Sequence, residues 1–157
     1  MKNLFFVISF IVAVIFISCN DSENKKSGPA EAQPRTEAQI LWKEVMDGHD
    51  IGMAKMGKLT RAEQASRRMI DSIEKLPAKA KQAAAPLKLK LDSLQKDLKN
   101  AELAMNKWME EFNMDSAAND MKKRIEYLKS EKLKVSKVKE SILNGLQKAD
   151  SLLKDKF

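Results

Sequence analysis

Residues 87–112 read LKLKLDSLQKDLKNAELAMNKWMEEF. Within them Leu87, Leu91, Leu94, Leu98, Ala101, Met105, Trp108 and Phe112 recur at intervals of 4, 3, 4, 3, 4, 3 and 4. An apolar period of about 3.5 residues keeps one seam turned toward a partner helix. A half-buried strand would need sustained alternation, which no run of the chain shows. Neither glycine nor proline interrupts the stretch. It predicts a long, coiled-coil-like helix that needs neighbours to cover its seam.

One neighbour lies upstream, in residues 42–59, WKEVMDGHDIGMAKMGKL. At about 100° per residue, Trp42, Met46, His49, Met53 and Met56 share one helical face. Thr36 is a suitable N-cap for this helix, with acidic Glu37 in its first turn. The stripe continues through Leu59 to Met69, Ile70, Ile73 and Leu76, and Pro77 ends it. Glu63 and Arg67 stand where that stripe would want apolar residues, so a phase shift is expected there. Gly48 and Gly52, four apart beside the stripe, would admit a close neighbour or leave the helix loose. Each costs about 1 kcal/mol against alanine in a helix.

Residues 77–86, PAKAKQAAAP, admit two readings. In one they are a loop, with Pro86 in the first turn of the second helix. In the other that helix opens at Pro77 and Pro86 lies inside it as a kink. The first register sets Met53 opposite Met109 and Met56 opposite Met105. The second sets Met105 near Met46 and Met109 near Trp42.

Downstream, residues 113–119 (NMDSAAN) predict a turn, with Asn119 as the cap of a third helix. Met121, Leu128, Val135, Ile142 and Ala149 then repeat every seven residues. Ile125, Val138, Leu146 and Leu153 partly fill a second seam, where Lys132 would lay its stem along the groove. Met114 and Met121 would join the methionines of the first two helices. The fold expected for residues 36–157 is all-α, three long antiparallel helices in a coiled-coil-like, up-down-up bundle. The alternative is an elongated helical hairpin that dimerises. The composition agrees, since 6% of residues are aromatic and 32% charged over a length of about one domain.

Residues 1–18 stand apart. Lys2 precedes an almost wholly apolar run, Leu4 to Ile17, which suits a secretory signal and is short for a bilayer span. It ends Phe16-Ile17-Ser18-Cys19, which resembles the lipobox of bacterial lipoproteins, with Phe16 where leucine is usual. That resemblance implies cleavage before Cys19 and acylation of its thiol and new amine by fatty acids such as palmitate. Cys19 is the sole cysteine, so no intramolecular disulfide can form. Residues 19–35 would be a disordered tether, polar and containing Pro29 and Pro34. The address expected is the bacterial cell envelope, anchored to the outer membrane, with the periplasmic and surface faces both open.

The formal charge is +7. Between Asn119 and Phe157, eleven Lys and Arg face six Asp and Glu. A basic excess of this kind suits nucleic acid, anionic lipid or a solvated helix face. Export argues against nucleic acid, and the solvated face is the plainer reading.

His49, Met53, Met56, Met105 and Met109 are candidate ligands for a soft metal such as Cu(I), which Trp108 could cap. A haem held by one His and one Met is a weaker reading, since no CxxCH or second histidine accompanies it. Methionine also fills ordinary cores, so no metal or other cofactor is the plainer expectation. Catalysis is not expected, because His49 has no serine or cysteine nucleophile on its face and Asp50 points about 100° away. Neither a Gly-rich phosphate loop nor an HExxH is present.

Three stretches resemble a family of small bacterial helical lipoproteins labelled "viral A-type inclusion protein". They are Trp42-Lys-Glu-Val-Met-Asp-Gly-His-Asp with Met53-Ala-Lys-Met56, Ala104-Met-Asn-Lys-Trp-Met-Glu-Glu-Phe112, and Tyr127-Leu-Lys-Ser-Glu-Lys-Leu-Lys-Val-Ser-Lys-Val138. Gly48 and Gly52 depart from the pattern, helix formers suiting those positions better. The resemblance implies a lipid-anchored helical protein and brings no activity, cofactor or catalytic residue with it. The function expected is that of a non-enzymatic structural or binding module, the alternative being the soft-metal binder. Its partners would be the bilayer, through Cys19, an unknown envelope protein, and a second copy of the chain.

Overall fold

The computed structural model describes residues 35–154. The signal segment, Cys19 and nearly all of the expected tether lie outside the described residues. Three helices follow one another, α1 (Glu37–Glu74), α2 (Ala78–Glu111) and α3 (Met121–Leu153), and each packs against both others. α2 runs antiparallel to its neighbours. α1 and α3 run parallel, as Glu37–Lys129, Glu44–Lys132 and Lys58–Asp150 show by pairing in the same order along both. The fold is an all-α, up-down-up bundle. Among the described residues no helix is long and apolar enough to cross a membrane.

The helix ends follow local chemistry. Thr36 caps α1 with a full capping box, its hydroxyl accepting from Gln39 N while the Gln39 side chain accepts from Thr36 N. α1 ends at Glu74, and Pro77 is the N-cap of α2, so Pro86 lies inside α2. Of the two readings of residues 77–86, the one with the second helix opening at Pro77 holds. Asp120, one residue beyond the expected Asn119, caps α3 by accepting from Lys123 N at 3.1 Å.

The α2 seam is the one the spacing predicts from Leu91 through Leu94, Leu98, Ala101, Met105 and Trp108, all buried. Leu87 is exposed and does not belong to it. In α1 the reading is corrected. The buried row is Leu41, Val45, Gly48, Gly52, Leu59, Ala62, Ser66 and Ile73. Trp42, Met46, His49, Met53 and Met56 form a flank beside it. Glu63 and Arg67 continue that same flank, as their groove against α2 shows, and no phase shift occurs. The methionines outweigh the glycines in any apolarity count, yet the glycines are the seam. A Cβ at Gly48 would lie 3.0 Å from Val135 Cγ1, and one at Gly52 would overlap the Met105 methyl.

That notch sets the register. Met105 enters at Gly52, and Trp108 lies tilted against His49 with ring centroids 5.6 Å apart. The register therefore falls between the two expected ones. In α3, Leu128, Val135, Ile142 and Ala149 are buried as the sevenfold repeat predicts, with Leu146 and Leu153. Met121 is exposed instead, and the second seam carries Glu131 rather than Lys132. Lys132 lies beside it, half-exposed, and pairs with Glu44 at 2.9 Å.

Candidate functional site

The bundle end at which α1 begins gathers the chemistry. Trp42, Trp108, Phe112 and Tyr127 form a continuous aromatic layer there. Phe112 is its hub, with ring centroids 4.8 Å from Trp108, 5.8 Å from Trp42 and 6.1 Å from Tyr127. Spacings of this kind add stabilisation beyond area burial. The Arg124 guanidinium lies 5.3 Å from the Trp42 ring centroid and 5.9 Å from that of Tyr127. Its charge is thus held by the negative faces of two rings. The same layer pins the α2–α3 turn. Arg124 Nη1 donates to Ser116 O at 2.8 Å, and Asn113 N donates to Tyr127 Oη at 2.8 Å.

Under the rings sits a buried carboxylate. Glu131 is 3% exposed and accepts from Trp108 Nε1 at 3.0 Å and from Lys134 Nζ at 2.7 Å. A buried carboxylate with an unpaired oxygen would be costly, and here both oxygens have donors. The hydrogen bond to Glu131 holds the Lys134 amine above the ordinary lysine value of 10.5.

Beside the layer opens a groove of about 500 Å³, lined by Thr36, Gln39, Trp42, Met114, Met121 and Arg124 among others. Met114 and Met121 are 62% and 59% exposed and stand at its rim, not in the bundle layer expected for them. A second groove, about 410 Å³, runs between α2 and α3 and is lined by Asp97, Asn100, Ser141, Asn144 and Lys148. Its lining mixes polar groups with Ala101 and Ala104, and Lys148 bridges it to Asp97 at 2.6 Å.

Packing gives the five candidate metal ligands different degrees of burial. Met105 is fully buried with its methyl in the Gly52 notch, which commits it to the core. Met56 is partly buried against the same core. Met53 and Met109 are each 38% exposed, and the His49 side chain is 22% exposed. His49 Nδ1 lies 2.9 Å from Asp50 Oδ1, so the neighbouring carboxylate reaches the ring despite starting about 100° around the helix. No three His, Cys, Asp or Glu side chains among the described residues come together as a metal-holding group. Cys19, the lipidation candidate, lies outside the described residues.

Arg124, Tyr127 and Glu131 are the site residues that sequence spacing missed. Glu131 carried a signal, since it lies three residues after Leu128 and four before Val135, a seam interval. A carboxylate adds nothing to an apolar period. Of its two donors, Lys134 is three residues on in α3 while Trp108 comes from α2, a pairing that spacing along the chain does not reveal. No known protein family, curated protein or solved structure matches the chain.

Proposed function

We propose that this chain is a lipid-anchored protein of the bacterial cell envelope, of the small helical lipoprotein kind, that acts as a non-enzymatic binding module. The anchoring half rests on the apolar run Leu4 to Ile17 followed by Cys19. The binding half rests on one observation, the groove of about 500 Å³ that opens beside Trp42. Two largely exposed methionines rim it, and methionine adapts readily to irregular apolar partners. Its walls are fixed by the Arg124 and Tyr127 contacts to the α2–α3 turn, so little ordering cost falls on binding. The partner that suits this surface is an apolar segment of another envelope protein, since Asp115 lines the groove along with Arg124.

Two measurements test the halves separately. Cys19→Ala should move the protein out of the membrane fraction and abolish acyl mass on the mature chain. Unchanged partition, with no acyl mass on the wild type, would overturn the anchor. A photo-crosslinker at position 121 in intact cells should capture one discrete envelope partner, and Trp42→Ala should weaken that capture. Capture spread over many proteins, or indifferent to Trp42→Ala, would remove the groove from the reading.

A further inference from the structure

The α1 flank facing α2 changes chemistry along its length. In its lower half it is polar, and Glu63 and Arg67 line a groove together with Gln95 and Lys99 of α2. The seams of both helices repeat every seven residues, as Val45, Gly52, Leu59, Ser66 and Ile73 show on α1. Two heptads toward the start of α1, the positions equivalent to Glu63 and Arg67 are His49 and Met53. Because α2 is antiparallel, the position equivalent to Gln95 is Met109. Met46 completes the row, three residues before His49 on the same face. In place of Glu63, Arg67 and Gln95, the equivalent positions together with Met46 carry an imidazole and three thioethers.

We infer that His49, Met46, Met53 and Met109 form a surface site for a soft monovalent cation of the Cu(I) or Ag(I) class. Thioether sulfur and imidazole nitrogen are the donors such ions prefer. His49 is prepared for the role, since its Nδ1 is engaged by the Asp50 carboxylate and Nε2 is left as the ligating nitrogen. The carboxylate fixes the tautomer and the ring plane, as outer-shell partners of metal-bound histidines do. The Trp108 ring lies tilted to the imidazole, with 5.6 Å between centroids. Met53 and Met109, each 38% exposed, remain reachable from solvent, whereas Met105 does not. The packing thus removes Met105 from the ligand set suggested by the sequence, and Met46, three residues before His49 on the same face, joins it. The site stands independently of the anchor and of the Trp42 groove.

The test is a Cu(I) titration under reducing conditions against the chelator bicinchoninate. It uses the full chain in detergent with Cys19→Ala throughout, so that no thiol competes. The parent should hold one equivalent of Cu(I) and show a shift of its single imidazole resonance. His49→Gln should lose at least about tenfold in affinity, as should Asp50→Asn through the tautomer. Met53→Leu and Met109→Leu should each weaken binding, while Met105→Leu should leave it unchanged. Helicity by circular dichroism verifies that each variant folds. A parent that yields all its copper to the chelator, or a His49→Gln variant that binds like the parent, would overturn the site. So would loss of binding confined to Met105→Leu.

Discussion

Gly48 and Gly52 admit close neighbours because they have no side chains. At Gly48 the neighbour is Val135, whose β-branched side chain has one preferred rotamer in a helix and cannot swing away. Gly57 differs, since a Cβ there would meet only Arg61 Nη1 at 3.6 Å. Gly57→Ala should therefore stabilise the protein by about 0.5–1 kcal/mol, the helix-propensity gain. Gly48→Leu should destabilise it by about 1–3 kcal/mol or more, although leucine is the better helix former. Thermal unfolding of the two variants beside the wild type checks the opposite signs. This is also where sequence reading stops, because a glycine in a seam contributes nothing to an apolar periodicity. Trp108→Phe offers a second test, since it removes the Nε1 donor and leaves a buried Glu131 oxygen unpaired. The expected cost is about 1–3 kcal/mol. Adding Glu131→Leu should recover part of it, as replacing a buried charge by an apolar side chain often does. A double-mutant cycle with no coupling would mean that the bond contributes nothing.

Among the elements, α2 was the most legible and α1 the least. The α2 seam is made of large apolar residues at unbroken 3–4 spacing, so periodicity and burial coincide. Leu98 is fully buried at mid-seam, against Gly145 of α3. Leu98→Ala should cost about 2–5 kcal/mol, and a loss below about 0.5 kcal/mol would contradict that burial. In α1 the aromatic and thioether residues up to Met56 lie on the flank, so periodicity there picks a face one position off, whereas Leu59 and Ile73 are buried as expected. Pro86 shows the limit of breaker rules in the other direction. It is exposed inside α2, where it removes a helix bond to the Gln82 carbonyl. Pro86→Ala should stabilise α2 by about 1–3 kcal/mol, read from the denaturant midpoint. The hairpin tip has its own pH dependence. Hydrogen bonds from Lys81 and Lys88 hold the Glu74 carboxyl below its ordinary value of 4.5. A depressed carboxylate contributes stability that is present above that value and lost as pH falls through the folded-state one. Glu74→Gln should flatten the acid limb of the stability–pH curve. For Lys134, raised by Glu131, the sign is opposite, and its contribution fades as pH climbs past the lysine range.

At the scale of the molecule, the order and number of helices followed from three apolar repeats and two turns, whereas the choice between bundle and hairpin did not. A seam spacing says that a helix needs a partner, and an α1–α2 hairpin paired with its own copy would satisfy it as well as α3 does. The structure makes α3 indispensable through shape. Val135 sits at Gly48, Ile142 lies 3.4 Å from a Cβ at Gly52, and Glu131 receives the Trp108 indole N–H. Without α3, the seam of the hairpin would expose two glycines, and Trp108 would lose its acceptor. Such a face is poorly suited to pairing with another copy of itself, since neither copy could supply the side chains that fill the notches. A chain ending at Asp120 should therefore lose most of its helicity and melt without a cooperative transition. The bundle should unfold in one transition, because none of its three helices has a separate core. Far-UV circular dichroism and sedimentation of the shortened chain decide the matter. Retained helicity with a concentration-dependent dimer would show that the hairpin is the folding unit and α3 an addition to it.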